Sequence, residues 1–205
     1  MPKSVDHAER RAELARAVWR VVRRAGVDGA SVRATAREAG WSAGTVQHYF
    51  STQAEMLVFA MEAISTESAR RLDAIEADAD LDAQAAVLAA VEFLAPLEPD
   101  ARVAAELWVA FLARVVVDDR IRAVHARDAA ALAGECSKLV GTLVRPVDEA
   151  TVELEAARLH ALLDGLTIAA VTEPERMPPE RVRQVLRHHV ASLVATGGGH
   201  DAAPA

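Results

Sequence analysis

The sequence predicts an all-α fold, and three observations carry that prediction. The chain is rich in Ala, Leu, Val, Arg and Glu, most of them strong helix formers. No segment shows the Val, Ile and Thr alternation between turn signals that marks a strand. Caps, glycines and prolines divide the rest into stretches that suit about nine helices.

The first helix is expected over 8–25. Asp6 with Glu9 three residues on makes a capping box, Leu14, Val18, Val21, Val22 and Ala25 share one face, and Gly26 ends the helix. Ser31 caps a second helix, which turns Val32, Ala36 and Ala39 inward and stops at Gly40. Ser42 caps a third, whose Val46 and Phe50 return to the same small core. A longer helix over 53–77 buries Met56, Leu57, Ala60, Ile64 and Leu72 and joins the head to the body without a flexible linker. Breaks at Leu81-Asp82, Pro96 to Pro99, Asp118-Asp119, Pro146 and Pro174 to Pro179 then leave helices near 82–95, 100–117, 120–144, 148–172 and 179–195. The tail, 197–205, has no apolar pattern and is expected to be disordered. The expected domains are therefore a head over 1–52, a body over 53–196 and that tail.

Two short helices joined by the tight turn Ala39-Gly40-Trp41-Ser42 form the unit that lays its second helix in a DNA major groove. The third helix is too short to be stable alone and needs the first two behind it. Its outward residues, Ala43, Gly44, Thr45, Gln47, His48 and Tyr49, are small or polar, which permits close approach to base edges. Gln47 can read adenine, and Thr45 can touch a base edge or a thymine methyl. Ser42 and the helix N-terminus favour nearby phosphate. Each residue has a plainer alternative: Tyr49 half-buried against the first helix, His48 an ordinary surface histidine, and Trp41 a packing plug in the turn. Charge agrees with a DNA-binding head. The net charge of −7 divides into +4 for residues 1–50 and −11 for the remainder, and screening within ~10 Å lets the local field dominate.

These residues carry a resemblance. Gly26, Ser31-Val32-Arg33, Ala36, Ala39-Gly40, Ser42, Gly44-Thr45, His48-Tyr49-Phe50 and Leu57 resemble, in order and spacing, the head of TetR-type transcriptional regulators. The ELWVAFLARVVVDDRIRAVH segment and the LLDGLTIAAVTEPERMPPERVRQVLRHHV ending resemble the BetI-like branch. The resemblance implies a ligand-responsive regulator, by family habit a repressor, released from its operator by a small molecule. It also implies that Thr45, His48, Tyr49, Ser31 and Arg33 hold the DNA backbone. The family usually has a lysine where Gln53 stands. Gln53 can still donate a hydrogen bond there, and with Thr52 it completes the expected DNA-facing set. A helical interaction protein, or an activator of the same fold, is the alternative reading.

A head this small reads few base pairs, so two heads on a palindromic site are expected. Leu159, Leu162, Leu163 and Leu166, with Val182, Val185, Leu186 and Val190, make the last two helices apolar on several faces. A four-helix bundle across a twofold axis would cover them, the alternative being burial within one subunit. In the middle of the body, Phe93, Glu106, Trp108, Phe111, His125, Cys136, His160 and Asp164 are candidates for a small-molecule pocket. The BetI-like resemblance suggests a choline-type cation, although four Phe, three Trp and one Tyr support a full aromatic cage poorly. A ligand that shifts the fourth helix would change the separation of the two recognition helices.

Other classes fare worse. The sequence contains no Gly-rich phosphate loop, GxSxG or HExxH, adjacent His188 and His189 point to different helix faces and suit a metal poorly, and a single cysteine allows no internal disulfide. No catalytic residue, metal site or cofactor is expected. No run approaches the ~18 apolar residues of a membrane helix, and the charged N-terminus is not a secretory signal, so a cytoplasmic protein is expected.

Overall fold

The computed structural model describes residues 7–144 and 149–198, which form nine α-helices and no strand. They are α1 (His7–Gly29), α2 (Val32–Ala39), α3 (Ala43–Gln47), α4 (Gln53–Glu76), α5 (Ala83–Leu94), α6 (Pro99–Val115), α7 (Asp119–Leu143), α8 (Glu149–Thr172) and α9 (Pro179–Gly198). The expected Asp6 cap and most of the tail lie outside the described residues. Gly197 and Gly198, assigned to the tail, instead continue α9.

Two compact units divide the chain. One comprises the residues up to Glu67 together with Glu106–Val124, and the other Ser68–Ala105 with the residues from His125 onward. The unit holding the head is thus larger than 1–52, taking in the start of α4 and a distant segment of α6 and α7.

In the first unit, α1 is interrupted at Gly26, whose φ of 69° is open to glycine. Leu14, Ala17, Val18, Val21 and Val22 are buried, but Ala25 is exposed because the chain turns away at the next residue. Ser31 Oγ accepts from the Ala34 amide at 3.1 Å, opening α2. Gly40 closes it in the left-handed conformation, with its own N–H bonded to Arg37 O and that of Trp41 to Ala36 O. Val46 and Phe50 are fully buried, and buried Thr35 donates to Met56 Sδ. Glu38 accepts from both Arg20 (2.7 Å) and Arg24 (2.8 Å), pinning α2 to α1.

The second unit packs α5 and α8 against α9. Its core includes Val87, Ala90, Val91, Cys136, Leu139, Val140, Leu159, Leu163, Leu166, Val182, Leu186, Val190 and Leu193. Asp82 Oδ1 caps α5 through the Ala85 amide at 2.8 Å.

Six of the eight residues expected at the dimer face, all but the partly exposed Leu162 and Val185, are instead buried in the chain's own core. Leu159, Leu163, Leu166, Val182, Leu186 and Val190 are at most 5% exposed within a single chain, and Leu162 and Val185 pack against the same core. Side chains already out of water have no area left for a partner. The outward arc of α8 instead carries Leu154 (63% exposed) and Ile168 (40%), with exposed Ala157, Ala161 and Gly165 between them. Val194 of α9 is also partly exposed.

Candidate nucleic-acid interface

The recognition strip is built on two hydroxyls and a buried wedge. Ser42 Oγ accepts from the Thr45 amide at 3.0 Å and shares a 2.8 Å hydrogen bond with Thr45 Oγ1, so one serine both starts α3 and fixes the Thr45 rotamer. Val46 and Phe50 anchor the strip from beneath, while Ala43, Gly44, Gln47 and His48 are exposed and Thr45 and Tyr49 half-buried. Gly44 has no positive φ, and an added Cβ would meet nothing nearer than Ser42 Oγ at 3.8 Å. The protein's own packing therefore does not demand glycine there.

Tyr49 packs against Trp41 and against Phe59 of α4, with ring centroids 5.9 and 6.2 Å away. Trp41 is half-buried and also lies beneath the Arg10 guanidinium, 5.8 Å from the ring centroid. Sequence reasoning left Arg10 out, because nothing in its spacing announces a contact with a turn thirty residues away. Ser31 and Arg33 are exposed at the start of α2, so the expected backbone-holding residues line an accessible surface.

Two members of the expected set have other work. Thr52 Oγ1 accepts from the Glu55 amide at 3.1 Å and so caps α4. Gln53 Nε2 donates to Val27 O (3.1 Å) and Ala30 O (3.3 Å), and its Oε1 accepts from Arg114 at 3.3 Å. The turn after Gly26 leaves carbonyls without helical partners, and a glutamine amide can donate to them while accepting elsewhere. Gln53 is therefore a clamp within the first unit rather than a phosphate contact.

Glu55 completes the cap. It accepts from the Ser51 amide (2.7 Å) and hydroxyl (2.8 Å) and from Arg120 at 3.0 Å. The Ser51 amide and hydroxyl, followed by Arg120 and the Thr52 backbone, hold its carboxyl at about 2, down from an ordinary 4.5. A carboxyl lowered on folding stabilises fully above its unfolded value, and that contribution drains away as pH falls from about 4.5 to about 2. Glu55→Gln should therefore flatten the fall of melting temperature across that window, and superimposable curves for the two proteins would contradict this account.

The candidate pocket residues divide between the units. Glu106, Trp108 and Phe111 belong to the first, where Phe111 is buried core and Glu106 is exposed rather than lining an interior. The other five belong to the second. His160 Nε2 stands 3.7 Å from Asp164 Oδ2. Burial raises the Asp164 carboxyl, and His160 and His125 pull it down. The Cys136 thiol is pushed up to about 12, first by burial and then by the charges of Asp164 and Glu135. His125, Cys136, His160 and Asp164 thus share one neighbourhood. Phe93 instead faces Arg71, 5.9 Å from its ring centroid. Among the described residues, no group of three or more His, Cys, Asp or Glu is placed to hold a metal ion, and no helix is long and apolar enough to cross a membrane.

Comparison with known proteins bears on this interface and on the body. The family described as BetI-type transcriptional repressor, C-terminal, matches residues 83–195. The chain is 36% identical over 202 residues to the HTH-type transcriptional regulator PksA of Bacillus subtilis, covering 94% of each protein. Among solved structures it is similar to a transcriptional regulator from Rhodococcus sp. Rha1, with a TM-score of 0.76, 30% identity and coverage of 95% of this chain and 99% of that one. A regulator from Saccharomonospora viridis in complex with choline shares the fold, with a TM-score of 0.76, 21% identity and coverage of 90% and 97%.

Proposed function

Because the chain belongs to the TetR family of transcriptional regulators, with a BetI-type C-terminal region, we propose that it represses transcription by binding a palindromic operator as a homodimer and lets go when a small molecule binds its body. The observation that carries this reading is the exposed strip from Ser42 to Tyr49, held rigid by the Ser42 cap and the buried Val46 and Phe50. Gln47 and Thr45 are its base readers. His48, Tyr49, Ser31 and Arg33 hold phosphates, which sets the register. The dimer forms through Leu154, Ala157, Ala161, Gly165 and Ile168 of α8, an apolar and small-residue face ~21 Å long from first residue to last.

The effector site lies in the body around His125, Cys136, His160 and Asp164, where a raised carboxyl and two imidazoles offer both charge and hydrogen bonds. A choline complex of a protein with the same fold supports a small organic effector here without identifying it. By linkage, an effector that favours the released state must bind less tightly when DNA is present, and by the same factor. No catalysis, metal or cofactor enters this reading, and the protein works in the cytoplasm.

Tyr49→Ala and Thr45→Ala are the direct test. Each should weaken binding to an operator selected from random duplex DNA by at least about tenfold, the worth of one charge-assisted or bidentate contact. Helicity by circular dichroism should not change. Parental gel-shift affinity in both variants would remove α3 from the DNA.

A further inference from the structure

We propose that Arg10 of α1 is a phosphate contact of the DNA interface, and that Trp41, in the turn between α2 and α3, is the positioning residue that holds it there. The inference rests on the reading of residues 42–49 as the DNA-facing strip.

Between Arg37 and Arg70 the chain contains no lysine or arginine, so the strip and the start of α4 bring no fixed cation to a polyanion. Gln53, at the start of α4, is occupied within the protein. Arg114 and Arg120 reach the start of α4 but are engaged there by Gln53 and Glu55, which leaves the arginines of α1 and α2 as the strip's source of positive charge. Several arginines there are already committed: Arg20 and Arg24 to Glu38, and Arg11 to Glu62 (3.6 Å) and the face of Phe59 (4.6 Å).

Arg10 differs. Its guanidinium lies over Trp41, and no carboxylate of the described residues is within ion-pair distance. Trp41 in turn touches Tyr49. Both spacings are under 6 Å, so Arg10 and Tyr49 stand within one major-groove width, ~12 Å, of each other. An arginine on an aromatic face keeps its N–H donors directed outward around the ring plane, and the stack removes rotamers that would otherwise be lost on binding. A smaller apolar residue would suffice to close the turn behind Gly40, whose capping bonds use only backbone. The indole does more than that, touching both Arg10 and Tyr49.

The test is the salt dependence of binding to a mixed-sequence duplex, read as the slope of log affinity against log salt between about 50 and 200 mM. Arg10→Gln should reduce the slope by about 0.9 for each head on the DNA, while Arg10→Lys keeps it. Trp41→Leu should show the Arg10→Gln loss and Trp41→Phe should not. Arg10→Gln combined with Trp41→Leu should lose no more slope than Arg10→Gln alone. A purely structural role for Trp41 would lower affinity at constant slope. An unchanged slope in Arg10→Gln, which gives up the stack on Trp41 together with the charge, overturns the phosphate contact. A full slope in Trp41→Leu beside a reduced one in Arg10→Gln overturns the positioning role. If the parent protein itself shows no salt-dependent duplex binding, the function proposed above falls first and this inference with it.

Discussion

A leucine in place of Gly44 will leave the head folded and abolish its hold on duplex DNA. Gly44 occupies an exposed helical position where a Cβ would make only one ordinary contact, at 3.8 Å with Ser42 Oγ. Leucine is also a better helix former than glycine by roughly 1 kcal/mol, so the melting temperature should hold or rise. The cost falls entirely on the complex. A helix that reads base edges sits in van der Waals contact with them, and a branched side chain at its second residue pushes it away from every base and phosphate at once. Loss of at least ~100-fold in affinity, near 2.7 kcal/mol, is expected by fluorescence anisotropy. Parental binding by the leucine variant would mean that some other surface meets the DNA.

The second large effect is expected from Ala161→Glu. Ala161 is exposed midway between Leu154 and Ile168 on the outward arc of α8. Across a twofold axis each changed residue meets the partner's copy of the same surface, so two carboxylates would be brought together as water is excluded. The variant should run as a monomer by light scattering at micromolar concentration, with the helix content of the parent. Its affinity for a selected palindrome should fall by several orders of magnitude, because only one head can engage. Leu159→Ala provides the contrast: fully buried in the second unit, it should cost ~2–5 kcal/mol of stability without splitting the assembly. A dimeric Ala161→Glu protein would relocate the interface, and a monomeric parent would remove it.

The head was legible in the sequence because its signals are local. Ser31 and Ser42 announce caps, Gly40 a left-handed stop, and Val46 and Phe50 a buried face, and each of these is found as a specific contact or dihedral. The helices of the body were legible for a similar reason, since proline and aspartate pairs punctuate them. Two ends were misjudged: α9 runs on to Gly198, and α6 stops at Val115, where Arg122 donates to the carbonyls of Val115 (3.1 Å) and Val116 (3.0 Å), and leaves Val116 and Val117 exposed.

What stayed hidden depends on partners far apart in the chain. α8 is apolar around most of its circumference, so periodicity alone did not say which arc faces its own core. The bulky Leu159, Leu163 and Leu166 went inside, and the smaller Ala157, Ala161 and Gly165 remained outside. Gln53 looked like a surface residue at a helix start until the carbonyls of Val27 and Ala30 were seen beside it. Of the candidate pocket residues chosen by type, His125, Cys136, His160 and Asp164 lie near one another, whereas Phe111 is core and Glu106 is exposed.

The first unit is assembled from pieces that the ribosome delivers at different times. Its opening segment closes at Glu67, yet Glu106–Val124, with buried Leu107, Phe111 and Ile121, also belongs to it. At translation rates of ~5–20 residues per second, that missing portion emerges seconds after the helix-turn-helix is complete. A nascent chain therefore passes through an interval in which Gln53 lacks Arg114 and Glu55 lacks Arg120. Truncating the gene after the fourth helix would make that interval permanent, so a minimal DNA-binding fragment would have to include residues through Val124.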